Sequence, residues 1–140
     1  MVFQRSVLLN TASSFLKAYN KWTVEDVLSV RSPTCIHYTL PKSTGNPPRN
    51  NNDFAAMLEQ VIPVFRNFRL TVIENSHTVV DTELGKVTLH LRSMAETDVG
   101  PYENEYIFTL KISEDGKMVD EIVEFLDSQY TADIVAKLGL

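Results

Sequence analysis

The chain has 140 residues, 44% of them hydrophobic and 22% charged, with a formal net charge of -5. That length suits one domain, residues 1–140, able to bury about two-thirds of its unfolded surface, and the composition excludes a largely disordered chain. No run of Lys or Arg offsets the acidic balance, which excludes a phosphate-binding surface, and with it nucleic acid, as the main partner.

The single Cys35 cannot close a disulfide within the chain or supply a cysteine metal cluster, which fits a reducing compartment. His37, His77 and His90 do not stand at helical metal-ligand spacing, so no metal is expected. The N-terminal apolar run is too short for a signal peptide, and no stretch approaches the roughly 20 apolar residues of a membrane span. The expected location is cytoplasmic, with no membrane partner.

In chain order, Val7, Leu8, Ala12, Phe15, Leu16 and Tyr19 recur at helical spacing and predict an amphipathic helix from Arg5 to Asn20. Trp22 begins a connection. Thr23 to Asp26 reads as a capping box opening a short helix that stops near Ser32-Pro33. Thr34 to Leu40 is β-prone, is bounded by Pro33 and Pro41, and carries His37 and Tyr38. The Pro- and Asn-rich segment up to Asn52 is a loop holding Arg49. Asn51 or Asn52 is expected to cap the next helix, whose apolar stripe is Phe54, Leu58, Val61, Ile62 and Phe65, and Pro63 should kink or end it.

From Phe68 the period changes to two. Arg69–Glu74, Thr78–Asp81, Lys86–Ala95, Asn104–Ile112 and Lys117–Leu126 read as strands joined by hairpin-length turns, hence antiparallel. Val87, Leu89, Leu91, Ser93 and Ala95, with Tyr106, Phe108, Leu110 and Ile112, should face the helices. Ser128 or Thr131 is expected to cap a last helix. Helices first and an antiparallel meander afterwards form an α+β pattern, in which a strongly bent sheet encloses a cone.

The last strand carries four acids, Asp120, Glu121, Glu124 and Asp127. On an unbroken pleat, Val119, Glu121, Val123, Phe125 and Asp127 share one face, and Met118, Asp120, Ile122, Glu124 and Leu126 the other. A bulge between Ile122 and Phe125 would exchange the faces and bring Glu124 into question.

Taken in order, Cys35-Ile-His37 with Leu40-Pro41, Pro47-Pro-Arg49 with Asn52-Asp-Phe54, Val64-Phe-Arg-Asn-Phe68, Gly100-Pro-Tyr-Glu-Asn-Glu-Tyr106 and Glu124-Phe-Leu-Asp-Ser128 resemble the fungal SnoaL-like proteins of the nuclear transport factor 2-like superfamily. The resemblance spans nearly the whole chain. It implies a cone-shaped barrel, a mostly antiparallel sheet wrapped around N-terminal helices, with a deep pocket and dimerisation through sheet faces. It also implies a cofactor-independent isomerase or cyclase, with hydrolase and dehydratase as further options, acting on a polyketide- or terpenoid-derived intermediate in meroterpenoid or xanthone biosynthesis.

Such chemistry needs a base beside a carbonyl, an acid to return the proton, and donors for the enolate. Asp127 is the first candidate for the acid–base role, since burial beside Phe125 would raise its pKa and polyketide-cyclase relatives carry an aspartate late in the sheet; its competing role is to cap the last helix with Ser128. His37 is a candidate proton relay or enolate donor, and Arg49 a candidate to polarise a carbonyl from a loop. Tyr19, Trp22, Tyr38, Glu59, Phe65, Tyr106, Phe125 and Ser128 are candidate pocket residues for an apolar polycyclic substrate. The alternative reading is a non-catalytic small-molecule-binding or dimerisation module on the same cone.

Overall fold

The computed structural model describes residues 2–140. Helix α1 spans Arg5–Tyr19 and buries Leu8, Ala12, Phe15 and Tyr19 at the expected helical spacing. Thr23 caps α2, Val24–Leu28: its hydroxyl accepts from the Asp26 N–H at 3.0 Å and donates to the Asp26 carboxylate at 2.8 Å.

Strand β1, Arg31–Leu40, starts before the expected Thr34 because Pro33 lies in an irregularity. The chain from Arg31 to Ile36 stands opposite only Val119 to Glu121 on its neighbour, so the surplus residues leave the ladder and the missing Pro33 N–H breaks no pairing. The cap of α3, Asn51–Val61, is Asn50 rather than Asn51 or Asn52; its side chain accepts from the Asp53 N–H at 2.9 Å. The helix ends before Pro63, which has no N–H to continue it.

The remaining strands are β2 (Arg66–Val72), β3 (Val79–Asp81), β4 (Lys86–Thr97), β5 (Gly100–Ile112) and β6 (Val119–Leu126). The sheet order is β1-β6-β5-β4-β2, with β3 also paired to β4. β1 and β6 run parallel and the other described pairs antiparallel. The expected inward residues of β4 and β5 are buried, from Val87 to Ala95 and from Tyr106 to Ile112 at alternate positions. The curved sheet wraps the helices into an α+β cone, as expected. Among the described residues no helix is long and apolar enough to cross a membrane.

Two corrections fall at the end of the sheet. In β6, Ile112 faces Val119 and Lys111 faces Glu121, which leaves Asp120 as the extra residue of a bulge. Val119 and Ile122 are therefore both buried, and from there the inward set is Ile122, Glu124 and Leu126, while Phe125 is 51% exposed on the outer face. The cap of α4, Ser128–Leu138, is Asp127, its competing role in the sequence reading, rather than Ser128 or Thr131; its carboxylate accepts from the Tyr130 N–H at 3.0 Å.

Candidate active site

A cavity of about 210 Å³ lies between the inner sheet face and helices α1 and α3. Its walls are largely aromatic. Trp22 stacks on Phe68 with ring centroids 4.1 Å apart, and its indole N–H donates to the Phe65 carbonyl at 2.8 Å, which holds the ring against one side of the space.

Glu124 is the acidic residue that lines the cavity. Its Oε1 accepts from His37 Nε2 at 2.7 Å, while Oε2 has no hydrogen-bond partner among the described residues. One oxygen is thus anchored and the other open to a ligand.

His37 forms the floor behind this carboxylate and is 2% exposed. Its backbone exchanges two hydrogen bonds with Arg49, at 2.8 and 3.0 Å, so the loop that carries Arg49 is tied to β1. The imidazole stacks on Phe54 with centroids 4.5 Å apart, and its Nδ1 lies 3.1 Å from Arg31 NH1. Burial pushes the His37 pKa down, against the opposing pull of Glu124. Arg49 lines the cavity and donates to Asn46 Oδ1 at 3.2 Å.

On the same inner sheet face, β4 and β5 contribute a hydroxyl cluster beside Glu124. Tyr106 Oη lies 2.6 Å from Ser93 Oγ and 3.0 Å from Tyr102 Oη. Asn104 donates to the Tyr102 oxygen at 2.9 Å and to Thr131 Oγ1 at 3.0 Å. Three hydroxyls share two mutual bonds, so one O–H proton is left over. Ser93 is 0% exposed, whereas both tyrosines line the cavity, so when Ser93 donates to Tyr106 the surplus proton lies on a tyrosine and is a donor to whatever the cavity holds. Burial raises the pKa of both phenols and keeps them protonated.

A groove of about 670 Å³ runs between the segment holding Ser43 and Thr44 and helix α4. It shares Asn46, Thr131, Val135 and Leu140 with the cavity, so the two spaces adjoin along these residues. The groove is lined by hydroxyl, amide and aliphatic side chains and by no charged ones, which suits a neutral oxygenated ligand.

Of the residues singled out from the sequence, Tyr19, Trp22, Phe65, Tyr106 and Arg49 line the cavity, and His37 lies directly behind Glu124. Asp127 does not: it is exposed, caps α4 and borders shallow outer depressions, because the bulge in β6 turns its face of the strand outward. Phe125 lies on the same outer face. Glu59 is exposed on α3, Tyr38 borders a separate depression beside Leu40, and Ser128 lines the groove rather than the cavity. Tyr102 was legible by alternation from Tyr106 once β5 is taken back to Gly100. Arg31 carried no sequence signal, since its approach to His37 depends on the irregularity in β1.

No protein-family model matches the chain. It is 37% identical over 134 residues to austinoid biosynthesis cluster protein F of Aspergillus calidoustus, covering 96% of this chain and 77% of that protein. Among solved structures it superposes on the BvnE pinacolase of Penicillium brevicompactum with a TM-score of 0.91 and 32% identity, covering 95% of this chain and 91% of that one. A SnoaL-like protein from Shewanella denitrificans, 13% identical, has the same fold at a TM-score of 0.71, covering 95% of this chain and 99% of that one.

Proposed function

The chain belongs to the SnoaL-like family of the nuclear transport factor 2-like superfamily, in the fungal secondary-metabolism group that includes austinoid biosynthesis cluster protein F, and from that premise we propose that it is a cofactor-independent isomerase or cyclase of a polyketide- or terpenoid-derived intermediate. The observation that carries this reading is Glu124, with Oε1 held by His37 and Oε2 open to an aromatic-walled cavity. Oε2 takes a proton from a carbon beside a carbonyl. The surplus hydroxyl proton of the Tyr102–Tyr106 pair hydrogen-bonds the developing enolate oxygen, and the protonated Glu124 then returns its proton at a second carbon, or the enolate carbon adds to a second carbonyl carbon of the substrate, whose C=O π bond opens and whose oxygen takes the proton from Glu124. Arg49, which lines the cavity, polarises a second oxygen of the substrate. The relatives' roles in meroterpenoid pathways support a polycyclic substrate, whose apolar body fits the cavity and whose oxygenated end fits the groove.

The test is an incubation in D2O with extracts of a host that accumulates meroterpenoid intermediates. The expected result is a product of unchanged elemental composition, carrying deuterium only to the extent that the Glu124 carboxyl exchanges with solvent before it returns the proton. A ligand that binds and is recovered unchanged and undeuterated identifies the chain instead as a binding module.

A homodimer is the proposed assembly. Ile73, Met94, Ile107 and Phe125 are each more than 40% exposed, and Ile107 and Phe125 are cross-strand partners, so the outer sheet face presents an apolar row. Sedimentation velocity is expected to give twice the chain mass of 15.9 kDa; a monomer throughout the micromolar range would refute it.

A further inference from the structure

Arg31 is 4% exposed, and its guanidinium lies against the Phe54 ring, with Cζ 3.9 Å from the centroid. Its NH1 is 3.1 Å from His37 Nδ1. A guanidinium has only donors, so Nδ1 must be the acceptor, and the ring's single proton sits on Nε2, 2.7 Å from Glu124 Oε1. The other tautomer would set two N–H groups against each other at Nδ1 and a lone pair against the carboxylate at Nε2. Both contacts demand the same proton position.

We propose that Arg31 is a positioning residue that locks His37 as the neutral Nε2–H tautomer, so that His37 anchors one oxygen of Glu124 and leaves the other turned to the cavity. The consequence for Glu124 rests on the functional reading above; the locking of the tautomer does not.

The fold makes the contact by an unusual route. In a regular strand Arg31 and His37 would lie about 20 Å apart, beyond the reach of an arginine. Their partners on β6 are Val119 and Ile122, half as many residues apart, because β1 bulges between them. Stability alone does not account for the arginine, since its Nε and NH2 are buried without partners, and an apolar side chain would avoid that cost. The groups facing His37 are Arg31 from β1, Arg49 from the loop, Glu124 from β6, Phe54 from α3 and Phe108 from β5. The nearby arginines and the burial disfavour a second proton, and Glu124 alone favours one.

The experiment is nitrogen NMR of the full chain labelled with 15N-histidine, His37 being assigned as the signal pair absent from His37→Gln. The expected wild-type result is an unprotonated Nδ1 and a protonated Nε2, both unchanged from about pH 5 to about pH 8, where an ordinary histidine titrates near ~6.5. A protonated Nδ1, or an ordinary titration, overturns the proposal. In Arg31→Met the lock is expected to be lost, with Nδ1 moving towards a tautomer average or titrating in that range; wild-type shifts in this variant overturn it. Should Arg31→Met fail to fold, wild-type chain labelled on both arginine and histidine decides: a 15N–15N coupling across the Arg31–His37 hydrogen bond supports the proposal, and its absence overturns it. None of these readouts needs substrate. Full turnover by Glu124→Gln would therefore remove the acid–base reading while leaving the tautomer result to stand or fall separately.

Discussion

Glu124→Gln is expected to lower turnover of the natural intermediate, and deuterium uptake with it, by about 10²–10⁴-fold, the usual contribution of a positioned general base. The substitution is nearly isosteric. The Gln carbonyl oxygen still accepts the His37 Nε2–H that now reaches Oε1 at 2.7 Å, so the floor of the cavity and the fold are retained while the basic oxygen is lost. Ligand binding should survive, since the aromatic walls and the tyrosine donor are untouched. The matched control is Asp127→Asn. Asn caps a helix as well as Asp does, so this variant should keep both its stability and its rate. Wild-type turnover by Glu124→Gln, together with loss in Asp127→Asn, would move the acid–base role back to Asp127.

Phe54→Ala is expected to destabilise the fold by about 3–5 kcal/mol, enough to consume much of the roughly 5–15 kcal/mol that holds a domain of this kind together. The ring is 2% exposed, stacks on His37 and carries the Arg31 guanidinium. Truncation opens a hole in the core and removes the nearer of the two rings against which the buried Arg31 guanidinium lies, leaving Phe15 at 5.9 Å. Urea denaturation should read it as a lower midpoint at unchanged slope. A loss below about 1 kcal/mol would mean that the surrounding core closes over the gap. Phe54→Leu, which fills most of the volume without the π-face, is expected to fall between the two.

Much of the framework follows from local chemistry that any reader of the chain can follow. The helical spacing from Leu8 to Tyr19 and the Thr23 cap are decided within a few residues, and so is the stop before Pro63. The regular alternation of β4 and β5 is set in the same way. Because β5 is an unbroken pleat, Tyr106 is found on the cavity wall where alternation puts it. The order of the short motifs also carried the family, which the 37% identity to austinoid biosynthesis cluster protein F supports.

The geometry of the candidate site is different in kind, because it depends on where two strands depart from regular pairing. In β6 the acids lie on both faces, so a single extra residue at Asp120 decides which of them turns inward, and it selects Glu124 over Asp127. In β1 the irregularity around Pro33 brings Arg31 within hydrogen-bond reach of His37. The sequence by itself therefore determined the elements, the cone and the aromatic lining. The choice of carboxylate, and the proton position on the histidine behind it, were decided only by the tertiary structure.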